Sequence, residues 1–276
     1  MTAPSRSGTV ARQGNARLGG RVLSWVEAGQ GQPLVLLHGI GSNARSWLPV
    51  MPDLGAGRRV IAWDAPGYGA SDALGEGRPD AVPYADALAA LLRSLGISRA
   101  VVVGHSLGAL MGAALAGRHP DLVAGLVLAD PASGSGCPPD GPWPDAIAAR
   151  LRELVELGPE RFAEARAPRL CAPGAPPDAV AAVRGAMAEI RISGYAQACS
   201  LLARGDLAAA VAGLRVPGLV TCGALDAVVP PDKARRIADA WPGARYVEIP
   251  GVGHAGYVEN PAAYAAPILR FLEAMP

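Results

Sequence analysis

A chain of 276 residues is longer than a small domain needs and within the reach of one α/β domain carrying an insertion. Half of its residues are hydrophobic and its formal net charge is +1, with Lys233 the only lysine and no basic block, which excludes a surface built to follow nucleic-acid phosphates. No apolar run reaches the roughly 18 uninterrupted residues of a membrane span, and residues 1–20 mix Ser5, Ser7, glycines and arginines without a secretory apolar segment, so a cytoplasmic protein is expected.

Short apolar runs alternate with segments of helical period, and the runs end in Gly, Asp or His, as parallel strands do where they feed loops. Strands are expected at residues 22–26, 34–37, 60–63, 100–103, 125–129, 218–222 and 245–249, with a weaker first strand at 9–18. Helices are expected at 84–95, 107–118, 232–240 and 262–272, where apolar residues recur at spacings of three and four. The result is a mostly parallel, eight-stranded α/β sheet covered by helices on both faces.

The alternation breaks between residues 132 and 205. Proline-rich stretches at 137–144 and 172–177 flank helical patterns at 147–157 and 180–190, which reads as a helical cap or lid, with a structural decoration as the alternative. Residues 1–131 and 206–276 form the expected core domain. Cys137, Cys171, Cys199 and Cys222 show neither CxxC spacing nor a paired histidine, so they read as free thiols rather than a zinc site.

Chemistry concentrates at three strand ends. Residues 101–109, VVVGHSLGA, are an apolar strand, a G-x-S-x-G turn and a helix; such a turn lifts the Ser106 hydroxyl above the sheet and places the Leu107 N–H at a helix N-terminus, facing a developing oxyanion. A serine needs a base, and the base needs an acceptor to hold its tautomer. His254, in the glycine-flanked loop after the last strand, is the candidate base, and Asp226, just past the strand at 218–222, is the candidate acid. Asp130, at the end of 125–129, is a rival acid. The second oxyanion donor is expected in His38-Gly39-Ile40-Gly41 as the Ile40 N–H, with His38 bracing the loop; His105 reads as structural and His119 as a helix end.

With these motifs in hand, the chain resembles the α/β-hydrolase superfamily from about Leu18 to Met275. Asp64-Ala65-Pro66-Gly67-Tyr68-Gly69-Ala70-Ser71-Asp72 is similar to the family's D-x-x-G-x-G-x-S-D turn, and Gly253-His254 with Glu259-Asn260-Pro261 to its closing motif. Asp64 and Asp72 then read as turn-stabilising residues. Residues 38–47 and 195–217 are loosely similar to bacterial 3-oxoadipate enol-lactonases and meta-cleavage product hydrolases of aromatic catabolism. The latter usually carry G-N-S-M-G-G where this chain has Gly104-His105-Ser106-Leu107-Gly108-Ala109, a departure that favours ester or lactone hydrolysis over carbon-carbon cleavage.

The resemblance implies a serine hydrolase acting through an acyl-enzyme on a small, largely apolar or aromatic-derived ester or lactone, without metal or organic cofactor. A carbon-carbon bond hydrolase of vinylogous diketones and a ligand sensor retaining the triad are the alternatives. The expected partner is a small-molecule substrate, with no nucleic acid and no membrane; oligomeric state stays open, a homodimer included. Trp47, Trp143, Phe162, Met187 and Tyr195 could wall the pocket. Arg150, Arg166, Arg184 and Arg191 could meet a carboxylate, but each reads more readily as part of a solvated helix face.

Overall fold

A computed structural model describes residues 11–275. Its strands are β1 (Arg12–Leu18), β2 (Arg21–Gly29), β3 (Gln32–Leu37), β4 (Arg58–Asp64), β5 (Ala100–His105), β6 (Val123–Ala129), β7 (Gly218–Gly223) and β8 (Arg245–Ile249). They form one 8-stranded sheet in the order β1-β2-β4-β3-β5-β6-β7-β8. β1 and β2 pair antiparallel; from β4 through β8 every pairing is parallel. Residues 9 and 10 of the expected first strand lie outside the described residues.

The helices are α1 (Met51–Leu54), α2 (Val82–Ser94), α3 (Leu107–Arg118), α4 (Asp145–Arg166), α5 (Pro177–Ala188), α6 (Ile192–Arg204), α7 (Leu207–Ala212), α8 (Pro231–Ala240), α9 (Gly256–Glu259) and α10 (Pro261–Glu273). Proline in the first turn opens α1, α2, α5, α8 and α10, where its missing N–H costs nothing and its fixed φ suits the helix.

The period of two along each central strand divides the apolar residues between two cores. Val35, Leu37 and Val102 meet Leu88, Leu91, Met111 and Ile237 from α2, α3 and α8 on one face. Leu34, Leu36, Val101 and Val103 meet Met51, Leu54, Ile268 and Phe271 from α1 and α10 on the other. Both faces being covered explains why the strands read as unbroken apolar runs.

Between β6 and β7 the chain leaves the sheet and builds α4, α5 and α6 around a third apolar cluster that includes Leu154, Phe162, Met187 and Tyr195. The outgoing and returning stretches are tied at their base: Gly136 N–H donates to Gly205 O at 2.8 Å, Cys137 N–H to Ala203 O at 2.9 Å and Leu207 N–H to Ser133 O at 2.9 Å. α4 runs past the expected helix at 147–157 and bends at Gly158, whose φ of 73° precedes Pro159. α6 was not expected as an element: Gly194, Tyr195 and Cys199 are weak helix formers, and burial of Tyr195, Ala198, Cys199 and Leu201 is what holds them in a helix.

α6 is also what fastens this segment to the sheet. Gln197 accepts the Leu74 N–H at 3.1 Å and donates to Leu74 O at 2.8 Å and Glu76 O at 2.7 Å. Arg191 donates to Gly67 O and Ser71 O, and Arg204 pairs with Asp80 at 2.9 Å. Gly194 lies so close to Gly67 that an added Cβ would stand 2.1 Å from the Gly67 carbonyl oxygen.

Candidate active site

The turn from β5 into α3 carries Ser106 at φ 52° and ψ −115°, a conformation L-residues rarely adopt. Two glycines make it possible. A Cβ on Gly104 would meet Gly108 O at 2.4 Å, and a Cβ on Gly108 would meet Leu37 O at 2.4 Å, so the turn closes only with hydrogen at both positions. The strained backbone is pinned from both sides: Ser106 N–H donates to Ala129 O at 2.9 Å, while Ser106 O accepts from Ala109 at 3.0 Å and Ala132 at 3.1 Å.

Asp226 and His254 come from the loops after β7 and β8. Asp226 Oδ1 accepts the Val228 and Val229 N–H groups at 2.7 and 2.9 Å, leaving Oδ2 for His254 Nδ1 at 2.7 Å. Burial pushes this carboxyl up, but the His254 hydrogen bond and the two backbone donors outweigh it and hold the group below the ordinary aspartate range. The bond also fixes His254 with Nδ1 protonated, so Nε2 is the free basic nitrogen. The His254 loop is held in turn: Ala255 N–H donates to Leu170 O at 2.9 Å, and Glu259 accepts both the Gly253 and Ala172 N–H groups at 3.0 Å.

Ser106 and His254 line one cavity of about 1180 Å³ that lies between the sheet ends and α4 to α6, with Ile40, Leu107, Met187, Tyr195 and Tyr257 also on its wall. No hydrogen bond joins the Ser106 hydroxyl to His254 in this structure, a looseness common before substrate binds. Leu107 is the first residue of α3, where the N–H has no partner within the helix. Ile40 follows Gly39, and a Cβ on Gly39 would stand 2.9 Å from Ser106 Cβ, so this loop and the serine turn are in direct apposition.

The remaining histidines are occupied elsewhere. His38 Nε2 accepts the Ala65 N–H at 3.1 Å and Nδ1 donates to Gly39 O at 2.8 Å; burial lowers its pKa, so the ring is neutral and braces the Gly39-Ile40 loop. His105 Nε2 donates to His254 O at 2.8 Å, and burial together with the neighbouring His254 lowers its pKa to about 3. It therefore acts as a neutral strut beneath the His254 loop. His119 sits at the end of α3, with Nε2 2.8 Å from Asp86 Oδ1.

Asp130, the rival acid, is buried beside this arrangement at φ 48°. Its Oδ1 accepts the Gly223 N–H at 2.8 Å, and its Oδ2 receives no donor from any described residue. Burial, then the charge of Asp226, raises its pKa well above the ordinary range, which favours the protonated acid beside the Asp226 carboxylate. Asp130, Cys222 and Asp226 bring potential metal-ligand atoms within 4.8 Å of one another. That donor set is already committed: Asp226 has spent both oxygens, and burial raises the Cys222 thiol far out of the thiolate range.

The motif at residues 64–72 works as a brace. Asp64 accepts from Ser24 Oγ at 2.6 Å and Ala44 N–H at 2.9 Å, and Asp72 Oδ2 accepts the Val22 N–H at 2.7 Å. Of the apolar residues expected at the wall, Met187 and Tyr195 line the cavity. Phe162 stands behind Tyr195 at 5.6 Å between ring centroids, Trp47 packs on Tyr257 at 5.1 Å, and Trp143 lies under Arg78. The supports from Leu170, Ala172 and Glu259 were not read from the sequence as contacts, since they join segments over eighty residues apart that carry no shared pattern.

Residues 34–266 match the alpha/beta hydrolase family. The chain belongs to that family. Among relatives of this α/β-hydrolase, a pimeloyl-[acyl-carrier protein] methyl ester esterase of Chromobacterium violaceum is 34% identical over 254 residues, spanning 89% of this chain and 96% of that protein. A solved esterase of Thermogutta terrifontis, with malate bound, superposes with a TM-score of 0.85 at 27% identity, covering 96% of this chain and 99% of the other. The enol-lactonase of Burkholderia xenovorans LB400 superposes with a TM-score of 0.84 at 28% identity, covering 94% and 100%. Esterase-like hydrolysis is the activity these relationships support. Among the described residues no helix is long and apolar enough to cross a membrane.

Proposed function

We propose that this α/β-hydrolase cleaves a carboxylic ester or lactone of a small organic acid through an acyl-enzyme, with Ser106 as nucleophile, His254 as general base and Asp226 as the group that orients it. One observation carries the reading: the serine held at φ 52° and a histidine hydrogen-bonded at 2.7 Å to a buried carboxylate open on the same cavity. His254 Nε2 takes the Ser106 proton as Oγ attacks the carbonyl carbon. The oxyanion forms against the Ile40 and Leu107 N–H groups, His254 returns the proton to the departing oxygen, and water repeats the sequence to release the acid. Residues 132–205 serve as the cap that closes the cavity over the substrate.

The test is hydrolysis of p-nitrophenyl esters, enol-lactones and vinylogous diketones by wild type and Ser106→Ala, with products identified. Ester or lactone turnover that falls by several orders of magnitude in the variant supports the reading. Dienone cleavage without esterase action, or activity that survives the substitution, refutes it.

A further inference from the structure

The cavity wall carries Arg150, Arg166, Arg169 and Lys233, and among the described residues no aspartate or glutamate lines it. These cations are not equivalent. Arg166 is already neutralised, with Nε 3.0 Å from Glu153 Oε2 and its guanidinium 5.0 Å from the Phe162 ring centroid. Arg169 and Lys233 are exposed at the rim. Arg184 is exposed on α5 and Arg191 is spent on Gly67 and Ser71. Arg150, half-buried on α4, has no hydrogen bond or ion pair with any described residue.

Tyr195 is the neighbour that completes the picture. It lines the same cavity, and its hydroxyl also has no hydrogen-bond partner among the described residues. Arg150 and Tyr195 face the same cavity; burial raises the Tyr195 phenol, the charges of Arg150 and Arg166 act against that rise, and Glu153, paired with Arg166, adds to it. Cys199 behaves alike, pushed to about 12 by burial with Arg150 and Arg166 opposing. A partly desolvated guanidinium without a counter-ion is unfavourable, whereas its planar fork matches a carboxylate through two parallel hydrogen bonds. A cavity holding uncompensated positive charge and no carboxylate of its own selects a ligand that brings one.

We propose that Arg150, with the Tyr195 hydroxyl, forms an anion subsite in this cavity, and that the ester the enzyme cleaves carries a free carboxylate. The inference rests on the reading of Ser106 as nucleophile only for which bond is cleaved; the subsite binds a carboxylate whether or not turnover follows. The carboxylate can sit on the acyl part or on the leaving alcohol, and matched substrates separate the two. Mono-p-nitrophenyl glutarate is compared with its neutral carbamoyl analogue for the acyl arm, and p-carboxyphenyl butyrate with p-carbamoylphenyl butyrate for the alcohol arm.

The readout is the ratio of kcat/KM for the anionic over the neutral member, in which losses common to both cancel. Arg150→Gln lowers that ratio in one arm by about 10- to 100-fold, the range expected for a lost charge-assisted hydrogen bond, and Arg150→Lys recovers part of it. Glutarate itself, titrated by calorimetry, binds wild type and Ser106→Ala alike and binds Arg150→Gln at least about tenfold more weakly. Unchanged ratios in both arms, or equal glutarate affinity in wild type and a folded Arg150→Gln variant, overturn the subsite. Turnover that persists in Ser106→Ala overturns the hydrolytic reading instead, and the glutarate titration then still decides the subsite.

Discussion

Asp130→Asn is the substitution that most sharply separates the two aspartates behind His254. A neutral Asp130 offers a carbonyl-like oxygen to the Gly223 N–H and a proton on the side facing Asp226; asparagine reproduces both, accepting with its oxygen and donating with its amide. Activity on a p-nitrophenyl ester should therefore stay within about fivefold of wild type, while Asp226→Asn, which breaks the 2.7 Å bond to His254 and spoils its tautomer, should cost about 10⁴ in kcat. Stability supplies a second, signed test. The folded chain keeps the Asp130 proton at pH values where the unfolded chain, with a carboxyl pKa near about 3.9, has lost it, so the folded state binds more protons and stability falls as pH rises. The wild type should lose about 1.4 kcal/mol relative to Asp130→Asn for each pH unit above about 4, until the folded pKa is reached, and the two should converge below that pH. Thermal melts across about pH 4 to 8 read the difference directly. If Asp130→Asn loses about a hundredfold or more in kcat while remaining folded, or if the stability gap does not widen with pH, Asp130 is ionised and the assignment of roles is wrong.

Three further outcomes follow from contacts around the site. Gly39→Ala places a methyl 2.9 Å from Ser106 Cβ and 3.4 Å from Oγ, and should lower kcat by about 10²-fold with little change in the denaturation midpoint; unaltered kinetics would show that the loop is free to retreat. Gly108→Ala sets a methyl 2.4 Å from Leu37 O, a backbone atom that cannot rotate away, and should cost about 2–3 kcal/mol in urea unfolding; a wild-type midpoint would refute the close approach. His105, with its pKa lowered from 6.5 to about 3, stays neutral in the fold while the unfolded chain takes a proton, so its contribution is complete above pH 6.5 and falls as pH drops toward about 3. His105→Gln, which keeps a donor for His254 O, should flatten that acid-side slope of about 1.4 kcal/mol per pH unit; parallel melting curves for the two proteins would count against it.

Much of the sheet was legible because each central strand serves two apolar faces and so prints as an unbroken run: residues 34–37 and 100–103 lie in β3 and β5 as read. α6 was not legible. Ser193, Gly194, Tyr195, Cys199 and Ser200 dilute its stronger helix formers, and its place is set by burial and by Gln197 and Arg191 reaching the 67–76 loop, contacts with no local signature. Similarly, the sequence put Asp130 and Asp226 at the ends of adjacent strands, and chain order favoured Asp226 without excluding its neighbour.

What distinguishes those aspartates is the turn each one stands in. Asp226 is followed by Ala227-Val228-Val229, whose backbone folds back to give Oδ1 two N–H donors, and a carboxylate so supplied can remain ionised when it is 4% exposed. Asp130 receives a single N–H, from a different strand end; its second oxygen is 3.9 Å from His105 Nε2 without a hydrogen bond, and the charge of Asp226 acts on the group. Two buried carboxylates in contact cannot both ionise, and the proton goes to the one with fewer donors. Which of the two aspartates stays ionised beside His254 therefore depends on backbone hydrogen bonds to carboxylate oxygens, a quantity that local sequence patterns do not carry. The same reasoning extends to Arg150: four arginines looked alike in the sequence, and only the distribution of their partners in space left one of them turned, unpaired, toward the cavity.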